Sequence, residues 1–241
     1  MLSRLTRIAL LILAAIALLL VTYIAYNRLK QPANPTPLIS THPVVTVLNP
    51  APTPLDVTTA DVLLQDDFSG TNGSWALSPI EQAEYRDGAL VLHDRHFSDF
   101  GWARPHLQFE NYVLDVDTVW VGGAVGGVYG VYFGYQDEVN FYAFTISNDG
   151  YYTISRQIGG QEEILVNAFT NALHPARAFN HLRLEANGSS LRFFINDTYL
   201  TDLTETGLLR GDIVFIAQKI ADTESFIVAF DNLVVHHHPV Q

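Results

Sequence analysis

The chain of 241 residues has no cysteine. Disulfides, thiolate catalysis, cysteine-type zinc sites and an N-terminal lipidated cysteine are thereby excluded. Basic residues are scarce: 13 Lys and Arg stand against 25 Asp and Glu, for a net charge of −12. Arg4, Arg7, Arg28 and Lys30 fall in residues 1–30, which hold no acid, so the remainder is more acidic still. Such a surface repels nucleic-acid phosphate and anionic lipid headgroups. It leaves neutral ligands, cationic partners and metal ions as binding classes. No Gly-x-Ser-x-Gly nucleophile elbow occurs. Gly122-Gly123-Ala124-Val125-Gly126-Gly127 has no Lys-Ser/Thr after it and no helical pattern, so nucleotide binding is not expected.

Charge is also missing from residues 8–27. About 20 apolar residues suffice for an α-helix to cross a bilayer core. The run is longer than the apolar core of a cleaved signal peptide, and Tyr23-Ile24-Ala25 is a poor cleavage site because Tyr is bulky. It reads as an uncleaved signal-anchor: 1–7 a short cytoplasmic N-terminus, 8–27 the transmembrane helix, N-terminus inside. Residues 28–61 follow as a stalk that holds Pro32, Pro35, Pro37, Pro43, Pro50, Pro52 and Pro54. Proline fixes φ and removes a backbone donor, which favours an extended, polyproline-like tether. The localisation expected is a single-pass cell-membrane protein with its remaining domain outside the cytoplasm.

From residue 62 the grammar changes to short β-segments between turn residues. Segments 112–120, 127–135, 140–146 and 151–158 alternate or run apolar, and Asn148-Asp149-Gly150 and Gly159-Gly160 suit hairpin turns. About a dozen strands are expected, and at most one short helical turn at 78–86. The fold class is all-β: one antiparallel jelly-roll β-sandwich over 62–235, with 236–241 as a tail.

Asp66-Asp67-Phe68-Ser69-Gly70 with Trp75, then Asp87-Gly88-Ala89-Leu90, resemble the opening of concanavalin A-like, laminin-G-like jelly-roll domains of bacterial surface proteins. So do Tyr135-Gln136-Asp137, Asn140-Phe141-Tyr142 and the closing Phe230-Asp231-Asn232-Leu233-Val234-Val235. The resemblance implies the sandwich fold and leaves function open among lectins, glycanases and adhesion modules. Family members often carry an Arg just before the Tyr-Gln pair, where this chain has Gly134.

Several residues are candidates for chemistry. In the meander, Tyr129, Val131, Phe133, Tyr142, Phe144, Ile146, Tyr152, Ile154, Ile164 and Val166 read as its core face. The other face offers Tyr132, Phe141, Thr145 and Tyr151 as ligand contacts, with aromatic rings for stacking on sugar faces. The alternative is that these aromatics only pack across strands. Asp115 and Asp117, two apart on a strand, share one face. They are read either as a hydrolytic pair or as solvent-facing residues. The family's glycanase pattern of Glu-x-Asp-x-(x)-Glu is absent around them. His93, His96, Asp99 and His106 lie close in sequence, as loop polarity or as a metal site. The candidate for structural Ca2+ is Asp66 and Asp67 with Asp231, beside Asn232, since first and last strands often adjoin; no cofactor is required. The function expected is non-catalytic binding of a glycan or other surface ligand at the cell envelope. The alternatives are a glycoside hydrolase or 3-keto-glycoside-cleaving enzyme, and a protein–protein adhesion or envelope-structural module.

Overall fold

The computed structural model describes residues 51–70, 75–79, 82–94, 100–175, 177–208, 210–220 and 224–239. The expected transmembrane segment and most of the stalk lie outside them, as do His96 and Asp99. Among the described residues, no helix is long and apolar enough to cross a membrane.

Fifteen strands follow one another among the described residues: β1 Val62–Asp66, β2 Ala76–Leu77, β3 Ala83–Arg86, β4 Ala89–Asp94, β5 Gly101–Arg104, β6 Tyr112–Gly123, β7 Gly127–Asp137, β8 Asn140–Ser147, β9 Tyr151–Ile158, β10 Gln161–Phe169, β11 Asn180–Asn187, β12 Ser190–Ile195, β13 Thr198–Thr204, β14 Asp212–Lys219 and β15 Phe226–His237. They form two antiparallel sheets. One has the order β13-β12-β11-β6-β15-β4-β3, with β1 also on β15. The other runs β10-β9-β8-β7-β14-β5-β2. This is a jelly-roll sandwich, as the strand grammar implied. Among the described residues of 78–86 none is helical: Gln82 lies in a turn and Ala83–Arg86 form β3. The last strand continues through His236 and His237, where a tail was expected, and the His237 amide donates to the Asp61 carbonyl at 2.8 Å.

The core lies between the sheets and is aromatic. Phe215 of β14 stacks on Phe230 of β15 with centroids 4.5 Å apart and planes 4° apart, which joins the two sheets. Trp75 stacks on Phe215 at 5.3 Å, and Phe68 meets Trp75 edge-on at 5.4 Å. Asp66 holds this corner: one oxygen accepts from the Phe68 amide at 2.8 Å, the other from the Trp75 indole at 2.9 Å. The Asp-Asp-Phe…Trp signature therefore closes the core.

Alternation decides which side chains reach that core, and bulges correct it. In β15, Phe226, Val228 and Phe230 face inward; a register shift between Asp231 and Val234, with Asn232 at φ 51°, then turns Leu233 and Val235 inward. The reverse occurs in β10. A shift between Ile164 and Val166 puts Val166 against the core and leaves Ile164 58% exposed, contrary to the core reading of Ile164. The other nine residues of the predicted meander core are buried or pack on the core.

The outer face of the larger sheet carries charge in ordered rows. The side chain of Glu185 is fully buried there, with Arg192 at 2.6 Å and Arg183 at 3.2 Å, as ion-pair contacts rather than well-angled hydrogen bonds. Glu185 also accepts from the Leu55 amide at 2.7 Å, while Arg183 donates to the Leu55 carbonyl at 2.5 Å. The end of the proline-rich segment is thus strapped to this sheet. Removing one member of a buried ion cluster leaves the others uncompensated. Glu185→Ala should lower the unfolding free energy by about 3–5 kcal/mol in urea denaturation.

Candidate functional site

The outer face of the smaller sheet is hollow. Inward-facing Val131, Phe144, Ile154 and Phe215 are buried, so their neighbours on β7, β8, β9 and β14 point the other way. Along the middle of that face those neighbours are small: Ala143 pairs with Ser155 and Thr145 with Thr153. Val214, Ile216 and Gln218 continue the floor on β14, and the resulting groove encloses about 870 Å³.

One side of the groove is an aromatic wall. Tyr132 and Phe141 stack with centroids 4.2 Å apart and planes 18° apart, and Tyr135 stacks on Phe141 at 6.0 Å. Phe100 approaches Tyr132 at 6.4 Å, and Trp102 of β5 lines the same side. The Arg104 guanidinium sits 5.2 Å from the Tyr135 ring centre, a cation–π contact. Burial pushes the Tyr132 phenol up to about 12, with the Glu162 carboxylate adding to the effect. Tyr132 therefore stays protonated at neutral pH and offers a hydroxyl donor. Two carboxylates, Glu138 and Glu162, also line the groove.

An arginine at position 134, as the resemblance implied, does not fit this backbone. The φ of Gly134 is +57°, and an added Cβ would lie 1.8 Å from the Leu208 carbonyl oxygen. The positive charge near Tyr135 comes instead from Arg104, on a different strand.

Of the predicted contacts, Tyr132, Phe141 and Thr145 line the groove together. Tyr151 shares their face but lies past the end of the groove, edge-on to Phe169 at 5.7 Å. Sequence reading missed Phe100, Trp102, Arg104, Tyr135, Glu138 and Glu162. The alternation of Trp102 and Arg104 with small Gly101 and Ala103 is the one local signal for β5, whose partner is the distant β14, with Ile216 opposite Trp102.

Asp115 and Asp117 lie on the opposite sheet, on its outer face, away from the groove. They are bridged by His181, with Nε2 2.9 Å from Asp115 and Nδ1 2.8 Å from Asp117. Asp117 also accepts from Asn232 at 3.0 Å. The pair is thus committed to a histidine on β11. His93 is buried with Nε2 3.1 Å from Glu84, and His106 is exposed. In the candidate calcium set, β1 does adjoin β15, with Asp66 opposite Leu233. Both Asp66 oxygens are taken by the core corner, Asp67 caps Ser69 and Asp231 accepts from the Asn232 amide at 2.7 Å. Among the described residues no three His, Asp or Glu side chains gather into a group that could hold a metal ion.

A family model described as a 3-keto-alpha-glucoside-1,2-lyase-like domain matches residues 64–221. The match spans more than half of the chain, and the chain belongs to that family. No curated protein matches the sequence. Solved structures of similar fold include the carbohydrate binding module CBM66 from Bacillus subtilis, at TM-score 0.56 and 11% identity over 68% of this chain and 96% of that one. The endo-beta-1,3-glucanase from Pyrococcus furiosus aligns at TM-score 0.59 and 8% identity, over 74% and 94%. The Bacillus licheniformis beta-glucanase aligns at TM-score 0.56 and 13% identity, over 74% and 98%. These likenesses show the concanavalin A-like jelly-roll fold.

His181 makes a pH prediction. Its hydrogen bond to Asp115 chiefly, then that to Asp117, raises its pKa from 6.5 to about 9, against the opposing effect of burial. The stability it contributes is fully present below about 6.5 and is lost as pH rises through about 9. The melting temperature should fall across that window, and His181→Asn should flatten the fall. A parent profile no steeper than that of the variant would refute the coupling.

Proposed function

We propose that this member of the 3-keto-alpha-glucoside-1,2-lyase-like family binds carbohydrate in the groove of its smaller sheet. The observation that carries the reading is the stacked wall of Tyr132, Phe141 and Tyr135 beside a floor of Ala143, Thr145, Thr153 and Ser155. Aromatic faces match the C–H faces of sugar rings, and the small floor leaves room for a ring to lie against them. The Tyr132 hydroxyl, Gln157, Gln218 and Arg104 supply directional partners for sugar hydroxyls. The acidic surface suits a neutral ligand better than an anionic one. The names of the fold relatives, a carbohydrate binding module and two glucanases, agree with this class of ligand.

On a glycan array, Tyr132→Ala and Phe141→Ala should each weaken binding about tenfold or more, the size of an aromatic hot spot. Variants that bind every glycan as well as the parent would remove the wall from the site.

A second reading is cleavage of a 3-keto-glycoside in the same groove. Family membership favours it, and Glu138 and Glu162 are the carboxylates placed for proton transfer. Turnover of a 3-keto-glucoside that is lost in Glu162→Gln and kept in Asp115→Asn would establish it. No turnover by the parent leaves binding alone.

The domain is held at a membrane by residues 8–27, with the groove outside the cytoplasm. The support is the uncharged run itself. The full chain should sediment with membranes and resist carbonate extraction. A mature N-terminus near residues 26–31 would show secretion instead.

A further inference from the structure

A second aromatic pair lies on the groove face, at the far edge of the same sheet. Tyr151 opens β9 and Phe169 closes β10, and the two are paired in register. Their rings meet edge-to-face, 5.7 Å apart at 77°. Side chains alternate along a strand, so Tyr151 shares the face of Thr153 and Ser155, which line the groove. The pairing of β9 with β8 runs from Gln157 to Tyr152 without a register shift, so the alternation holds to that end. Phe169 faces as its partner does.

Both rings are uncovered: Tyr151 is 44% exposed and Phe169 59%. They are nevertheless fixed in place. Gly150 has φ +93°, and a Cβ there would lie 2.6 Å from the Phe169 ring, so the ring rests on the turn backbone. The Thr170 amide donates to the Gly150 carbonyl at 2.9 Å and ties the end of β10 to that turn. A fixed, exposed ring loses little rotamer freedom when a ligand covers it.

We propose that Tyr151 and Phe169 form a second sugar-stacking platform, so that the site takes a carbohydrate chain of several rings. This rests on the reading of the groove as a carbohydrate site. Gln157 pairs with Phe141 at the first platform, and Tyr151 lies six residues further along β9. At roughly 3.3 Å per residue the platforms stand about 20 Å apart. That is the reach of an oligosaccharide, beyond any single ring. Thr145, Thr153, Ala143 and Ser155 between them leave a low path along the strands. Exposed Ile164, turned outward by the β10 bulge, forms a rim beside it.

Other occupants of this edge are a second copy of the chain or a partner strand paired with β10. Glu162 stands near the start of β10, beside a Glu163 that is ion-paired with Arg156 at 2.7 Å, and edge charge such as that of Glu162 opposes strand pairing between copies. The charge balance therefore favours a neutral sugar chain.

The test uses the full chain in detergent and an array of homologous series from disaccharide to octasaccharide. Affinity should rise with chain length until a ligand spans both platforms. Phe169→Ala should erase about tenfold of that gain and leave disaccharide binding unchanged, Phe169→Trp should restore it, and Tyr132→Ala should weaken every length. A Phe169→Ala variant that matches the parent across a series overturns the second platform while the groove reading stands. Failure of the parent to bind any series overturns both. Sedimentation velocity covers the remaining case: a dimer that Phe169→Ala dissociates, with binding independent of length, assigns the rings to self-association and overturns the proposal.

Discussion

Phe215 stacked on Phe230 joins the two sheets, and the groove depends on that contact. β14 lies between β7 and β5, so Phe215 ties an interior strand of the smaller sheet to β15 of the larger one. Because successive side chains point to opposite faces, burying Phe215 places Val214 and Ile216 on the groove floor. The same coupling runs through β8, where buried Phe144 turns Ala143 and Thr145 outward. Large residues inside and small ones outside make one face concave. The core and the groove are two readings of one alternation, held in register by the packing of large rings between the sheets.

The two outer faces of the sandwich do different work. The larger sheet uses its face for internal ion pairs: His181 between Asp115 and Asp117, and Glu185 between Arg183, Arg192 and the Leu55 backbone. Those charges satisfy one another and hold down the chain that enters the domain. The smaller sheet keeps its face for rings, hydroxyls and a few charged groups. The groove therefore opens on one side of the domain, and Leu55 is held against the other.

Much of the fold was legible because strand formation is local in its signals. Alternation in 112–120 and the turn residues Asp-Gly and Gly-Gly mark strands without knowledge of their partners. The part of the site carried by the meander was legible for the same reason, since β7, β8 and β9 are consecutive hairpins. Tyr132, Phe141 and Thr145 follow from parity alone. Parity also misled where a bulge intervened: Ile164 reads as core until the extra residue in β10 turns it outward. Asp115 and Asp117 drew notice as a carboxylate pair because spacing shows that they share a face, and spacing is silent on which sheet and which side that face belongs to.

Composition, the uncharged run and the short β-segments determined by themselves an all-β domain without thiol chemistry, together with the aromatic meander that forms most of the groove. These follow from the chemistry of neighbours in sequence. Only the tertiary structure decided that Trp102 and Arg104 complete the aromatic wall, that Glu138 and Glu162 are the groove's acids, and that Asp66 closes the core corner. β5 reaches the groove through pairing with β14, and such a contact is selected by packing across the whole sandwich. No local pattern encodes it, because its energy exists only once both sheets are in place.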